Sequence, residues 1–320
     1  MVIQPLHPRF VGEVDGVDLR EPLSPETIAA IHAGMDQYGV LVFHDQSMTP
    51  EQQRTMTAQF GPLELGFARV VRNRGSEPPS APQRTGYADV ADMSNVGADG
   101  KPVERSDRKI VGNMANQLWH SDSSFQKPAA KYSLLLAVRL PSWGGETEFC
   151  DLRAAYDGLE PRLKTELEGL EAEHYALHSR VMLGDDDYTE AAQSVFPPVL
   201  WPIVRTHAGS GRKLLFIGVH TRRVVGMTVA EGRVLLSDLL EHATQPQFVY
   251  RHVWKPGDLV IWDNRATLHR GRRWDMDEPR ELRRTTTTDV DESATTQQLA
   301  GQPSERPTER PNERHRATAR

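Results

Sequence analysis

The chain has 320 residues, 38% hydrophobic and 26% charged, with a formal net charge of −6. That balance suits a soluble globular protein and argues against nucleic acid as a general partner, because phosphate binding needs a basic surface. No apolar run approaches the roughly 20 residues that span a bilayer. The start, MVIQPLHPRF, lacks the basic opening and apolar core of a secretory leader. The one cysteine, Cys150, cannot pair internally. A cytoplasmic protein without a membrane partner is therefore expected.

In chain order, FVGEVDGVDL alternates apolar and polar residues and predicts a strand with a glycine turn. Ser24-Pro25 supplies an N-cap and a first-turn proline, and Ile28, Ile31 and Met35 recur at helical spacing, which predicts a helix over 25–38. Val40–Phe43 is a buried strand. Thr49-Pro50-Glu51-Gln52 is a capping box that opens a second helix, ending at Gly61. From Gly66 to Arg108 the pattern fails, and a long polar loop of this kind is expected to act as a lid near 66–108.

Further on, strands are expected at Lys109–Asn113 and Tyr132–Arg139, and a helical pair broken near Pro161 over Leu152 to Leu167. Strands at 203–207 and 213–219 precede a capping box at Thr228-Val229-Ala230-Glu231 and its helix. Phe248–Trp254, a Pro256-Gly257-Asp258 turn and Leu259–Asp263 suggest a hairpin. A last strand falls near 280–288. Many short strands with inserted helices indicate a mainly β fold with a double-stranded β-helix, or jelly-roll, core. Beyond about 290 the chain has almost nothing to bury, so residues 1–289 are expected to form a single domain and 290–320 a disordered polar tail.

Twelve histidines are present, so one alone means little; His32, His44, His174, His178 and His242 fit structural or surface positions. His120-Ser121-Asp122 differs. At i and i+2 of an extended chain, imidazole and carboxylate share a face about 6.6 Å apart along the strand. His269, following Trp262-Asp263-Asn264-Arg265, offers a second imidazole. Two histidines and a carboxylate can hold Fe(II) while leaving coordination positions open, or a hydrolytic Zn2+. On the pattern alone, a non-catalytic jelly-roll module with structural histidines also stays open. Downstream, Arg280 and Arg284 project from one strand face about 13 Å apart, with Arg283 turned outward between them. Two guanidiniums could each grip a carboxylate bidentately, or the cluster could simply be solvated.

NQLWHSD (116–122), GGET (144–147), Trp262-Asp263-Asn264-Arg265 and the Arg280/Arg284 pair together resemble the taurine dioxygenase (TauD/TfdA) family of Fe(II)/2-oxoglutarate dioxygenases. The likeness runs from about Leu6 to Asp289 and is greatest to members that act on aryloxyacetates. It implies that His120, Asp122 and His269 ligate iron. Arg280 and Thr147 would hold the far carboxylate of 2-oxoglutarate, and Arg284, with Asn116 and Arg69 nearby, the substrate acid. The reaction so implied hydroxylates the CH2 between ether oxygen and carboxylate, consuming O2 and 2-oxoglutarate. A small-molecule carboxylate is the expected substrate and a homo-oligomer the expected assembly.

Overall fold

The run Val40–Phe43 and the segments Leu259–Asp263 and Ala130–Arg139 are strands, buried along most of their length and paired antiparallel in that order. They form the middle of a seven-stranded sheet. Val2–Pro5 and Gly12–Asp15 extend one side, Glu281–Thr288 and Ala91–Ser94 the other. In this computed structural model, residues 1–65, 84–184 and 197–290 are described. Arg69, with residues 66–83 of the expected lid, and the tail from 291 lie outside them. Residues Met1–Asp289 form one compact unit.

Because successive strand residues face opposite sides, the central strands split their apolar load. Leu41, Phe43, Leu134, Leu136, Leu259 and Ile261 pack against Ile31, Met35 and Met56 of two helices. Those helices, Pro25–Tyr38 and Pro50–Thr57, begin as expected: Ser24 accepts the Thr27 N–H, and Thr49 and Gln52 close a capping box. On the other face Val40, Val42, Leu135 and Trp262 meet Phe149 and Trp254. Phe149 belongs to a three-stranded sheet of Val249–His252, Thr147–Asp151 and Thr267–Gly271. Its far side, through Cys150 and Leu268, packs on a third cluster with Leu239 of the helix Val229–Ala243. Thus two strand layers press together through Phe149 and Trp262, whose ring centroids are 5.5 Å apart.

Three expectations are corrected. Residues 109–113 are not a strand but lie in the helix Arg108–Met114, because Asp107 caps its N-terminus by accepting the Lys109 N–H at 2.8 Å. The segments around 250 and 260 do not form a hairpin. Val249–His252 pairs with Thr147–Asp151, whereas Leu259–Asp263 lies in the other sheet. The turn between them crosses from sheet to sheet, pinned by Asp258, which accepts from the Lys255 N–H at 2.8 Å and lies 3.0 Å from His252 Nε2 and 2.6 Å from His44 Nδ1. Finally, the stretch read as lid contains an edge strand, Ala91–Ser94, paired with Glu281–Arg284. Its polar sequence suits an edge rather than a core position.

Candidate active site

His120 and His269 are joined by their backbones. The His120 N–H donates to His269 O at 3.0 Å and the His269 N–H to His120 O at 2.8 Å. This narrow bridge puts the two rings side by side, with centroids 4.1 Å apart. Two residues on, Asp122 turns its carboxylate to both, 3.8 Å from each Nε2. One candidate ligand atom from each of the three residues lies within 4.8 Å of the others, and all three residues are buried.

The donor set fits a metal. His120 Nδ1 lies 2.8 Å from Leu118 O; a carbonyl only accepts, so Nδ1 carries the proton and the lone pair sits on Nε2. That Nε2 is buried and has no hydrogen-bond partner. Burial pushes the pKa of both imidazoles down, His269 well below the usual range, so both rings are neutral. Burial alone would push Asp122 up, but Arg284 and the two histidines outweigh it and hold the carboxyl well below the usual carboxylate range. Two neutral nitrogens and one carboxylate oxygen are the donor set of non-haem Fe(II) sites with open positions.

Asp122 is itself held. Ser133 donates to Oδ2 at 2.7 Å, the Arg284 guanidinium donates to Oδ1, and the backbone N–H donates to Asn264 Oδ1 at 3.0 Å. Asn264 was legible as part of a motif; Ser133 was not singled out.

Two cavities flank the cluster. One is lined by His269, Thr147, Trp274, Arg280 and Asn116; the other by His120, Asp122, Glu64, Phe125 and His220; Arg284 lines both, as does Asn116. Arg280 is buried and donates to Gly145 O at 2.8 Å. Burial lowers its pKa to about 10, so the cation persists at neutral pH. Thr147 Oγ1 accepts from Trp254 Nε1 at 3.1 Å, which leaves its own proton free to be donated. Arg283 departs from expectation: it is buried and donates to Met48 O on the opposite side of the strand. Spacing missed Glu64 and His220. Burial pushes Glu64 up to about 7, although its bonds from Ser123 and Gln126 pull it down.

A second group, Asp36, His207 and Asp263, also has ligand atoms within 4.8 Å of one another. Its chemistry is different. Asp263 is already engaged by His207 at 3.0 Å and by Arg265 at 2.7 and 2.9 Å. A resident guanidinium there does the work a cation would do.

With this geometry in view, the comparisons with known proteins agree on one class. Residues 3–286 match the family described as "Taurine catabolism dioxygenase TauD, TfdA family". The chain belongs to that family. It is 58% identical over 289 residues to the alpha-ketoglutarate-dependent 2,4-dichlorophenoxyacetate dioxygenase of Cupriavidus pinatubonensis, covering 90% of this chain and 98% of that one. It is 37% identical to the (S)-phenoxypropionate/alpha-ketoglutarate-dioxygenase of Sphingobium herbicidovorans, over 87% of this chain and 91% of that one. Among solved structures, that of AAD-2 in complex with Mn(II) and N-oxalylglycine superposes with a TM-score of 0.83 at 45% identity, covering 91% of this chain and 98% of that one.

Proposed function

We propose that this chain is an Fe(II)- and 2-oxoglutarate-dependent dioxygenase that hydroxylates an aryloxyacetate such as 2,4-dichlorophenoxyacetate at the CH2 beside the ether oxygen. The hydroxylated product is a hemiacetal, which collapses to a phenol and glyoxylate. The cosubstrate becomes succinate and CO2. What carries the reading is the meeting of two neutral imidazoles and one carboxylate beside a buried arginine. The 58% identity to the Cupriavidus enzyme carries the choice of substrate.

In this reading His120, Asp122 and His269 hold the iron, which supplies O2 activation coupled to oxidative decarboxylation. Arg280 and Thr147 take the far carboxylate of 2-oxoglutarate. Arg284 takes the substrate carboxylate and so fixes which carbon lies nearest the metal. Asn116, between the two cavities, contributes to both, and Arg69 adds positive charge toward the substrate acid. The two pressed sheets are the walls of a double-stranded β-helix in a single catalytic domain, 1–289. A cytoplasmic homo-oligomer acting on a small carboxylate, with no nucleic acid partner, completes the proposal. Among the described residues no helix is long and apolar enough to cross a membrane.

The test is anaerobic loading with Fe(II), then measurement of O2 uptake and succinate release across a panel of acids. Turnover that needs both iron and 2-oxoglutarate is expected, fastest with aryloxyacetates. A hydrolase using the same ligands on zinc would turn over without 2-oxoglutarate or O2. If sulfonates or alkyl sulfates outrun every aryloxyacetate, the enzyme class stands and the substrate assignment falls.

A further inference from the structure

The Gly144-Gly145 pair has a job that the ligand assignments above do not explain. Gly145 has φ +77°, and a Cβ there would lie 2.7 Å from Arg280 Nε and 3.2 Å from Arg280 Cδ. Gly144 has φ +74°, and its Cβ would lie 2.2 Å from the Arg273 carbonyl oxygen. Both positions therefore require glycine twice over, for backbone conformation and for space. Their absence of side chains lets the segment lie against 272–274. The Gly145 N–H donates to Arg273 O at 3.0 Å, the Arg272 N–H donates to Glu146 O at 2.8 Å, and Gly144 bridges Trp274.

That contact brings Trp274 over Arg280. The indole centroid is 4.9 Å from the guanidinium carbon, and Gly145 O accepts from Arg280 Nη2 at 2.8 Å. Arg280 thus has an aromatic face against it and a glycine backbone along it. Two buried donors of this group, Arg280 Nε and Trp274 Nε1, have no hydrogen-bond partner. Both residues line the cavity shared with Thr147 and His269, and no Asp or Glu is among the described residues lining it. A wall with unmatched donors and no acid suits an anion.

We infer that Trp274 and Gly145 are positioning residues that clamp the Arg280 guanidinium flat, so that its free edge meets the far carboxylate of the diacid cosubstrate. The inference rests on the assignment of Arg280 to 2-oxoglutarate and deepens it. A guanidinium on a flexible stem loses freedom when it binds a carboxylate; one already stacked loses less. A desolvated cation–π contact is worth enough to change affinity roughly tenfold. The clamp acts on the diacid alone, since the substrate acid is assigned to Arg284.

The experiment is calorimetric titration of Mn(II)-loaded protein with N-oxalylglycine, beside thermal melting and the KM for an aryloxyacetate. Trp274→Ala is expected to raise the Kd for N-oxalylglycine about tenfold with the aryloxyacetate KM unchanged. Trp274→Phe keeps an aromatic face and is expected to retain most of the affinity. Gly145→Ala, whose Cβ would lie 2.7 Å from Arg280 Nε, is expected to weaken the diacid in the same direction. Wild-type Kd in both Trp274→Ala and Gly145→Ala overturns the clamp. So does equal loss in Trp274→Phe and Trp274→Ala, or a parallel rise in the aryloxyacetate KM. If wild-type protein itself ignores N-oxalylglycine, the dioxygenase assignment falls and takes the clamp with it.

Discussion

The Ser133 hydroxyl donates to Asp122 Oδ2 at 2.7 Å and at the same time accepts from Asn264 Nδ2 at 2.9 Å. Asn264 Oδ1 in turn accepts the Asp122 backbone N–H at 3.0 Å. The three residues close a ring of hydrogen bonds around one carboxylate. Ser133 is fully buried beside the apolar run Leu134–Ala137 of its strand, where an unpaired hydroxyl would carry a desolvation cost. Its partner is Asp122, so the sequence position that looks wrong for a core is right for a site. Ser133→Ala should weaken metal affinity ten- to a hundredfold, the usual effect of losing such a supporting bond. Titration with Mn(II) or Co(II) measures this. Wild-type affinity in a folded variant would mean that the ring does not orient the carboxylate.

Arg284 touches the same carboxylate from the other side, donating to Asp122 Oδ1. If it also takes the substrate acid, Arg284→Ala removes one charge-assisted contact, worth roughly 1.5–3 kcal/mol. That corresponds to about a ten- to hundredfold rise in the KM for an aryloxyacetate. The KM for 2-oxoglutarate, assigned to Arg280, should stay close to wild type. Steady-state kinetics with each substrate varied in turn makes the comparison. An unchanged aryloxyacetate KM would remove Arg284 from that role.

The candidate triad was legible only in part: the two-residue spacing of His120 and Asp122 suggested a shared face, but that pattern left zinc and structural readings open, and the family resemblance joined the distant His269 to them. The helix starts were legible because Ser24, Thr49 and Thr228 satisfy donors within three residues of themselves. Partnerships across the fold were not. Nothing in the order of residues joins Ser133 to Asn264, 131 positions away, or tells that Val249–His252 and Leu259–Asp263 belong to different sheets. The apolar Ile110 and Val111 suit a strand, and the Asp107 cap decides for a helix only once its bond is seen.

Asp263 immediately precedes Asn264 of that ring. It is fully buried and engaged by His207 and Arg265, with its backbone N–H donating to Gly39 O at 2.9 Å. Burial would raise its pKa, but Arg265 and His207 outweigh that and hold it well below the usual carboxylate range. Removing the charge leaves Arg265 facing Lys131 and His207 with too little to balance them. Asp263→Ala should therefore cost about 3–5 kcal/mol of stability, as breaking a buried pair typically does. Urea unfolding measures it, and a loss below about 1 kcal/mol would show that Asp289, 3.5 Å from Arg265, is sufficient counter-charge.

His174 supplies a pH dependence whose sign can be worked out. It is buried and stacked on Phe216, with ring centroids 5.2 Å apart. Burial, aided by nearby Arg205 and opposed by a bond to the Phe216 backbone, lowers its pKa to about 3. Unfolded, the imidazole takes a proton near pH 6.5; folded, it stays neutral until about pH 3. Between those values the unfolded chain binds one more proton than the native one, so stability falls as the pH falls. The slope from this residue is about 1.4 kcal/mol per pH unit. Above pH 6.5 it contributes nothing. His174→Phe keeps a ring against Phe216 and cannot titrate, so its stability between pH 6 and pH 4 should fall less steeply than wild type by about one proton. Denaturant unfolding of both proteins at pH 4, 5, 6 and 7 reads the difference. Parallel curves over that range would mean that the native pocket admits the charged imidazole.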